Sequence, residues 1–284
     1  MPGEPDAASF DCICAWVAEW FQVLSLEVAV DRLKRGDLPA RAMVITFDDG
    51  YADNHEVALP ILQRHGLTAT FYVATGFLDG GRMWNDTVIE AVRACQQPAL
   101  DVAQLGIDGL TSLPLDGDAQ RQAAIRALLD KLKYRPVDER LQLVGRLVEA
   151  VGAPLPGGVM MRSDQVKALR QAGMTVGAHT VSHPILLKLS AEQARREIDQ
   201  SRQHLEAILG EPVRHFAYPN GVPGRDMSDA TAGIVKDLGF DSAVTTAWGA
   251  AGLGADCFQL PRFTPWDRSR WKFGARLARN LWTT

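Results

Sequence analysis

Residues 43–50 read Met43-Val44-Ile45-Thr46-Phe47-Asp48-Asp49-Gly50. An apolar run of this kind reads as a buried strand, and here it empties into two adjacent carboxylates and a glycine. Along a strand, neighbouring side chains point to opposite faces, so Asp48 and Asp49 cannot do the same job. One can hold a metal ion while the other stays free to move a proton. Asp-Asp-Gly is also good turn chemistry, so this stretch alone leaves both readings open.

A second segment decides between them. Residues 176–184 read Val176-Gly177-Ala178-His179-Thr180-Val181-Ser182-His183-Pro184. Neutral imidazole is the commonest protein ligand for zinc and related ions. Pro184 disfavours helical geometry at His183, so the pair belongs to a strand end and loop. A lone histidine is more often a satisfied hydrogen-bonding residue. Two histidines with Asp49 make a different set, one that leaves coordination positions open as catalytic metal sites require.

Together the two segments resemble the polysaccharide deacetylases of the NodB-homology type, carbohydrate esterase family four. The family's first motif, T-F-D-D-G, stands unaltered at residues 46–50, and its second, H-S/T-x-x-H, is read at residues 179–183. The likeness runs from about residue 40 to about residue 265. It implies Asp48 as general base and Asp49, His179 and His183 as ligands of a divalent metal, with zinc the expected ion. The third motif departs from the common R-x-P-Y-G form. Residues 216–221 read Phe216-Ala217-Tyr218-Pro219-Asn220-Gly221, which resembles an F-A-Y-P-N-G variant met in bacterial polysaccharide-biosynthesis proteins. Ala217 stands where the family arginine usually pairs with the base. The motif's backbone N–H, here that of Asn220, is implied as a donor to the tetrahedral oxyanion, a role that survives side-chain change. A plain Pro-Asn-Gly turn accounts for the same letters.

The last family motif is L-x-H, whose histidine protonates the leaving amine. Here it reads Leu260-Pro261-Arg262. Guanidinium stays protonated, so Arg262 is no general acid. Its other readings are an ordinary surface cation or a partner for Asp48 that replaces the charge lost at Ala217. Such a partner keeps the base ionised and lowers its basicity. The catalytic acid is left unassigned. Tyr218, Pro219, Trp84, Asp86 and Trp248 are candidate substrate contacts. Trp84 offers a ring to a sugar face and Asp86 an acceptor to a hydroxyl. The same segment suits helix capping by Asn85 or Asp86. Trp248 follows the strand-like residues 243–246 and fits pocket wall and core equally.

The 284 residues, 46% of them hydrophobic, suffice for one barrel, and a formal net charge of -4 argues against general nucleic-acid binding. Cys12 and Cys14 are too close for an ordinary bridge, and Cys95 and Cys257 show no framework, which favours a reducing compartment. No apolar run approaches membrane-spanning length. The acidic start, residues 1–6, lacks the basic region of a signal peptide. These features predict a cytoplasmic protein, either free or at the inner membrane face. Relatives of this form usually carry a strand before the first element, which here spans residues 10–20 with helical spacing. Omitting that strand would leave a barrel edge exposed.

The remaining order alternates. Ser25 opens a helix that Gly36 ends, residues 43–47 and 69–73 read as strands, and residues 58–64 as a helix. Residues 85–151 read as several helices, an insertion within a single catalytic domain spanning residues 1–284. A helix from Ser163 to Gly173 follows. Ser190 with Gln193 forms a capping box for a helix through Ile208, stopped by Gly210. Residues 213–218 and 242–246 are strand-like, with a helix between them ending near Gly239. Repeated strand–helix units predict a parallel sheet of the α/β class. An open doubly wound sheet fits this pattern, whereas the resemblance implies a distorted, incomplete (β/α) barrel with a helical insertion. In residues 268–284, Arg268, Arg270, Lys272, Arg276 and Arg279 interleave with Trp271, Phe273, Leu277, Leu281 and Trp282. Such a helix either packs its apolar residues on the barrel, the favoured reading, or makes peripheral contact with an anionic membrane.

The expected activity is metal-dependent hydrolysis of the N-acetyl group of an amino sugar in a polysaccharide, oligosaccharide or lipid-linked saccharide, releasing acetate. One rival is a deacylase or deformylase of another amide. The other is a catalytically impaired carbohydrate-binding protein, against which intact Asp48 argues.

Overall fold

The computed structural model describes residues 6–107, 109–264 and 267–282. The acidic start read from residues 1–5 and the last two residues of the basic tail lie outside the described residues. The chain divides into two compact units, Met1–Asp79 with Met160–Thr284, and Gly80–Val159.

The first unit begins with helix α1 (Ala7–Trp20), strand β1 (Gln22–Val23), helix α2 (Leu26–Arg35), strands β2 (Ala42–Met43) and β3 (Thr46–Phe47), helix α3 (Leu59–Arg64) and strand β4 (Thr70–Val73). The second unit comprises α4 (Trp84–Ala94), β5 (Ala99–Asp101), β6 (Ser112–Pro114), α5 (Asp118–Leu132) and α6 (Val137–Val151). The first unit resumes with α7 (Ser163–Gln171), β7 (Thr175–Ala178), α8 (Ala191–Leu209), β8 (His215–Ala217), α9 (Asp229–Asp237), β9 (Ser242–Val244) and α10 (Arg270–Trp282).

Local chemistry sets these bounds. The Ser25 hydroxyl accepts the Val28 N–H at the start of α2, and Gly36 ends it at φ 73°. Leu26, Val30 and Leu33 recur at helical spacing and are buried. The Ser190–Gln193 box opens α8, and Gly210 closes it at φ 73°.

Five parallel strands form one curled sheet in the order β3-β4-β7-β8-β9, with Thr70 paired to Thr175 and Val73 to Ala178. Every residue of β4, β7, β8 and β9 is buried, as a parallel sheet covered on both faces demands. Burying Phe71 or Val73 in that sheet stabilises it by roughly 1.5–3 kcal/mol each. The sheet matches the incomplete barrel expected.

Three local expectations change. Residues 43–47 are not one strand: β2 pairs with β1, β3 pairs with β4, and the run changes partner across Val44 and Ile45. β3 is the outer strand of the sheet and stays half-buried beside a cavity of about 490 Å³ walled by α1, α2 and α10. The second unit contains, besides helices, the antiparallel pair β5–β6. α4 starts one residue early, with Met83 as its N-cap, so Asn85 and Asp86 lie inside its first turn.

The second unit has a core of its own, including Val88, Val92, Leu100, Leu128 and Leu147. In the first unit, α10 buries Phe273, its ring centroid 5.7 Å from that of Trp16 and 6.1 Å from that of Trp20. Its Asn280 amide donates to Gly249 O at 3.0 Å. This is the packing reading of the tail, although Trp271 stays 88% exposed. Among the described residues no helix is long and apolar enough to cross a membrane.

Candidate active site

The first motif starts with β3 itself and runs past its C-terminal end, the second follows the C-terminal end of β7, and the third begins within β8. All three therefore meet at one end of the parallel sheet, where strand-end loops build sites in this architecture. After Phe47 the backbone turns sharply, with Asp49 at φ 76° and Gly50 at φ 88°. The turn is tied down by Ala74 N–H donating to Asp49 O (3.2 Å) and Met161 N–H to Gly50 O (2.9 Å). The turn reading of Asp-Asp-Gly therefore holds.

His179 and His183 face Asp49. Their Nε2 atoms lie 3.3 and 3.2 Å from Asp49 Oδ1, and the three donor atoms fall within 4.8 Å of one another. His179 Nδ1 is 2.7 Å from Ala217 O, which can only accept, so Nδ1 carries a proton there and Nε2 faces Asp49. Burial pushes the His179 imidazole down, but the Asp49 hydrogen bond and the charges of Asp48 and Asp49 outweigh it and raise its pKa. Burial likewise pushes Asp49 up, but hydrogen bonds from both histidines hold it well below the usual carboxylate range. The three groups thus favour positive charge between them. Two imidazole nitrogens and one carboxylate are also a normal donor set for zinc, so these residues fit the divalent ion.

Asp48 takes a different partner. Arg262 Nη1 and Nη2 lie 2.7 Å from Asp48 Oδ1 and Oδ2, a two-pronged pair between residues 214 apart in sequence. The guanidinium is itself oriented: Nε donates to Thr245 O at 2.8 Å and Nη1 to Thr46 Oγ1 at 3.1 Å. Burial pushes Asp48 up, but the Arg262 charge prevails and holds it below its ordinary value. Arg262 is therefore a partner of Asp48 and not a surface cation.

In the third motif, Asn220 sits at φ 59°, with Thr246 Oγ1 donating to its carbonyl at 2.6 Å. Among the described residues its own N–H meets no acceptor. Of six non-glycine residues with positive φ among the described residues, four are Asp49, Thr180, His183 and Asn220, so local backbone strain concentrates here.

The pocket-contact expectations change more. Tyr218 is fully buried with its hydroxyl donating to Phe258 O at 2.9 Å, so its side chain is core and not substrate contact. Pro219 is buried too. Trp84 and Asp86 belong to the second unit, where Arg140 lies 4.8 Å over the Trp84 ring and Asp86 is buried. Trp248 is 61% exposed, which removes the core reading, and stands edge-on to Phe263 at 5.4 Å. Two helpers went unread. Thr180 Oγ1 accepts the His183 N–H at 3.1 Å, and Glu197 on α8 accepts from the same loop. Only the S/T of the second motif hinted at the first.

Residues 35–98 and 116–243 match the family model described as Polysaccharide deacetylase. A Bacillus subtilis (strain 168) protein named "Putative polysaccharide deacetylase YxkH" is 19% identical over 255 residues, covering 89% of this chain. This chain spans 62% of that relative's length. Among solved structures, the Streptococcus pyogenes deacetylase PplD in complex with acetate is 22% identical with a TM-score of 0.58, covering 90% of this chain and 80% of its own. IcaB from Ammonifex degensii is 18% identical with a TM-score of 0.60, covering 97% and 89%. These likenesses show the fold. The family match takes in Asp48, Asp49, His179, His183 and residues 216–221, and by it this chain belongs to the polysaccharide deacetylase family.

Proposed function

We propose that this protein hydrolyses the N-acetyl group of an amino sugar within a saccharide. The observation that carries the reading is the convergence of Asp49, His179 and His183 beside a separate carboxylate, Asp48, held by Arg262. A divalent ion bound by the first three residues would polarise the acetyl carbonyl and ease deprotonation of water. Asp48 takes a proton from the attacking water. The Asn220 N–H donates to the oxygen on which negative charge develops. The C–N bond then breaks, its electron pair stays on nitrogen, and Asp48 returns the proton to that nitrogen. Acetate and a free amine result. Arg262 weakens Asp48 as a base, and by the same charge makes protonated Asp48 a readier donor to the leaving amine. One carboxyl thereby serves as base and acid without the histidine missing from residues 260–262.

The test is a substrate panel on the metal-replete chain: chito-oligosaccharides, a lipid-linked N-acetylglucosamine, and small N-acetyl and N-formyl amides. Acetate released from one of the saccharides is expected. Formate release alone favours the deformylase rival, and saccharide binding without acetate release favours the binding protein.

A further inference from the structure

We propose that Glu197 is a positioning residue that sets His183 toward the metal, an inference resting on the metal site described above. The two histidines are held differently. His179 has its own anchor, Nδ1 on Ala217 O at 2.7 Å. Among the described residues the His183 ring has no such partner besides Asp49, so its aim depends on the backbone that carries it. Metal-ligating histidines ordinarily gain that orientation from a hydrogen bond on the far ring nitrogen.

The backbone around it is strained and clamped from two sides. Thr180 and His183 adopt φ 66° and 53°, a left-handed region that side chains other than glycine resist. On one side the carbonyls are held: Thr75 N–H donates to Thr180 O (3.1 Å) and Gly76 N–H to Val181 O (2.9 Å). Gly76 is needed there, because a Cβ would lie 2.7 Å from Val181 O. On the other side the N–H groups of Val181 and Ser182 both donate to Glu197 Oε2 at 2.9 Å, and the Ser182 hydroxyl donates to Oε1 at 2.7 Å. One carboxylate therefore satisfies three donors of the loop. It stands on a firm base, since α8 is 19 residues long, capped at its start, and buries Ala194 and Ile198 next to Glu197. Without Glu197 the two N–H groups turn to water, Thr180 and His183 relax toward ordinary φ, and His183 Nε2 leaves its place opposite Asp49.

Glu197→Gln and Glu197→Ala test this in the full chain. The readouts are Zn²⁺ dissociation constant by competition with a chromophoric chelator, and amide hydrogen exchange of residues 181–183 in metal-stripped protein. Glu197→Ala should weaken Zn²⁺ binding about 10–100-fold, the range typical of lost ligand support. It should also speed exchange at Val181 and Ser182 before any metal is added. Glu197→Gln keeps a carbonyl acceptor and should recover part of both. If the alanine variant fails to fold, the glutamine variant carries the test. A folded Glu197→Gln chain with parental Zn²⁺ affinity and parental exchange overturns the proposal. If the parent chain binds no Zn²⁺, the metal-site reading fails by itself, and fast exchange at Val181 and Ser182 in that parent would sink the Glu197 clamp separately.

Discussion

Removing the Arg262 side chain probes the arrangement most sharply. Arg262 is 15% exposed and Asp48 28%, so the pair is largely withdrawn from water. Arg262→Ala deletes two charge-assisted bonds of 2.7 Å each and leaves the Asp48 carboxylate facing a gap. Breaking a buried pair costs about 3–5 kcal/mol, and partial water access to Asp48 reduces this to roughly 2–3 kcal/mol. Taken as lost transition-state stabilisation, at about 1.36 kcal/mol per tenfold in rate, this lowers kcat/KM roughly 30–150-fold. Arg262→Lys should recover little. One ammonium cannot span both carboxylate oxygens while also bonding Thr46 Oγ1 and Thr245 O as the guanidinium does. Metal content should be unchanged, because Arg262 is not among the ligands. The assay is initial-rate acetate release with elemental analysis of each variant. A rate for Arg262→Ala within about threefold of the parent, at equal metal content, would refute this reasoning, as would full rescue by lysine.

Asp48→Asn should keep the ion and lose about 10²–10⁴-fold in turnover, because an amide cannot take the proton; a rate within a few-fold of the parent would remove Asp48 from the mechanism. Gly177→Ala should destabilise the first unit by about 1–3 kcal/mol or more, since the new Cβ would lie 2.5 Å from Tyr72 Cδ1 and 2.9 Å from His215 O. Urea unfolding measures it, and an unchanged midpoint contradicts that packing. His215 is buried, with Nδ1 2.9 Å from Ser242 Oγ. Burial lowers its pKa, opposed by Glu27 and Asp241 and aided by Arg214 and Lys34. A depressed folded value means the unfolded chain binds the extra proton. Its contribution is therefore full above about pH 6.5 and lost as pH falls below that. Between pH 7.5 and 5.5 the parent should lose more unfolding free energy than His215→Asn; parallel curves would clear His215 of this role.

Residues close in sequence were the legible ones. Asp48 with Asp49 and His179 with His183 each lie within one loop, so sequence spacing keeps the members of each pair together. The Asp48–Arg262 pair, 214 residues apart, was readable only as a question about what replaces the charge at Ala217. Glu197 was not readable, because its contribution is to accept backbone N–H groups, which leave no residue-type signature. Tyr218 misled because a motif's aromatic residue reads as a pocket wall, whereas its neighbour Ala217 uses its carbonyl to orient His179. The hairpin β5–β6 escaped because each strand has three residues and one buried leucine, Leu100 or Leu113, too few for alternation to register. The apolar run at residues 43–47 hid a change of pairing partner that no side-chain pattern encodes.

In the proposed reaction Asp49, His179 and His183 hold a divalent ion on which deacetylation depends. Acetate released from an N-acetylated chito-oligosaccharide should be followed in parent and His179→Ala chains, each stripped with a chelator and then given back Zn²⁺. The stripped parent should be inactive and Zn²⁺ should restore it, while His179→Ala should remain folded, take up no stoichiometric ion and stay inactive. Undiminished acetate release from a parent chain that elemental analysis finds free of metal would contradict it.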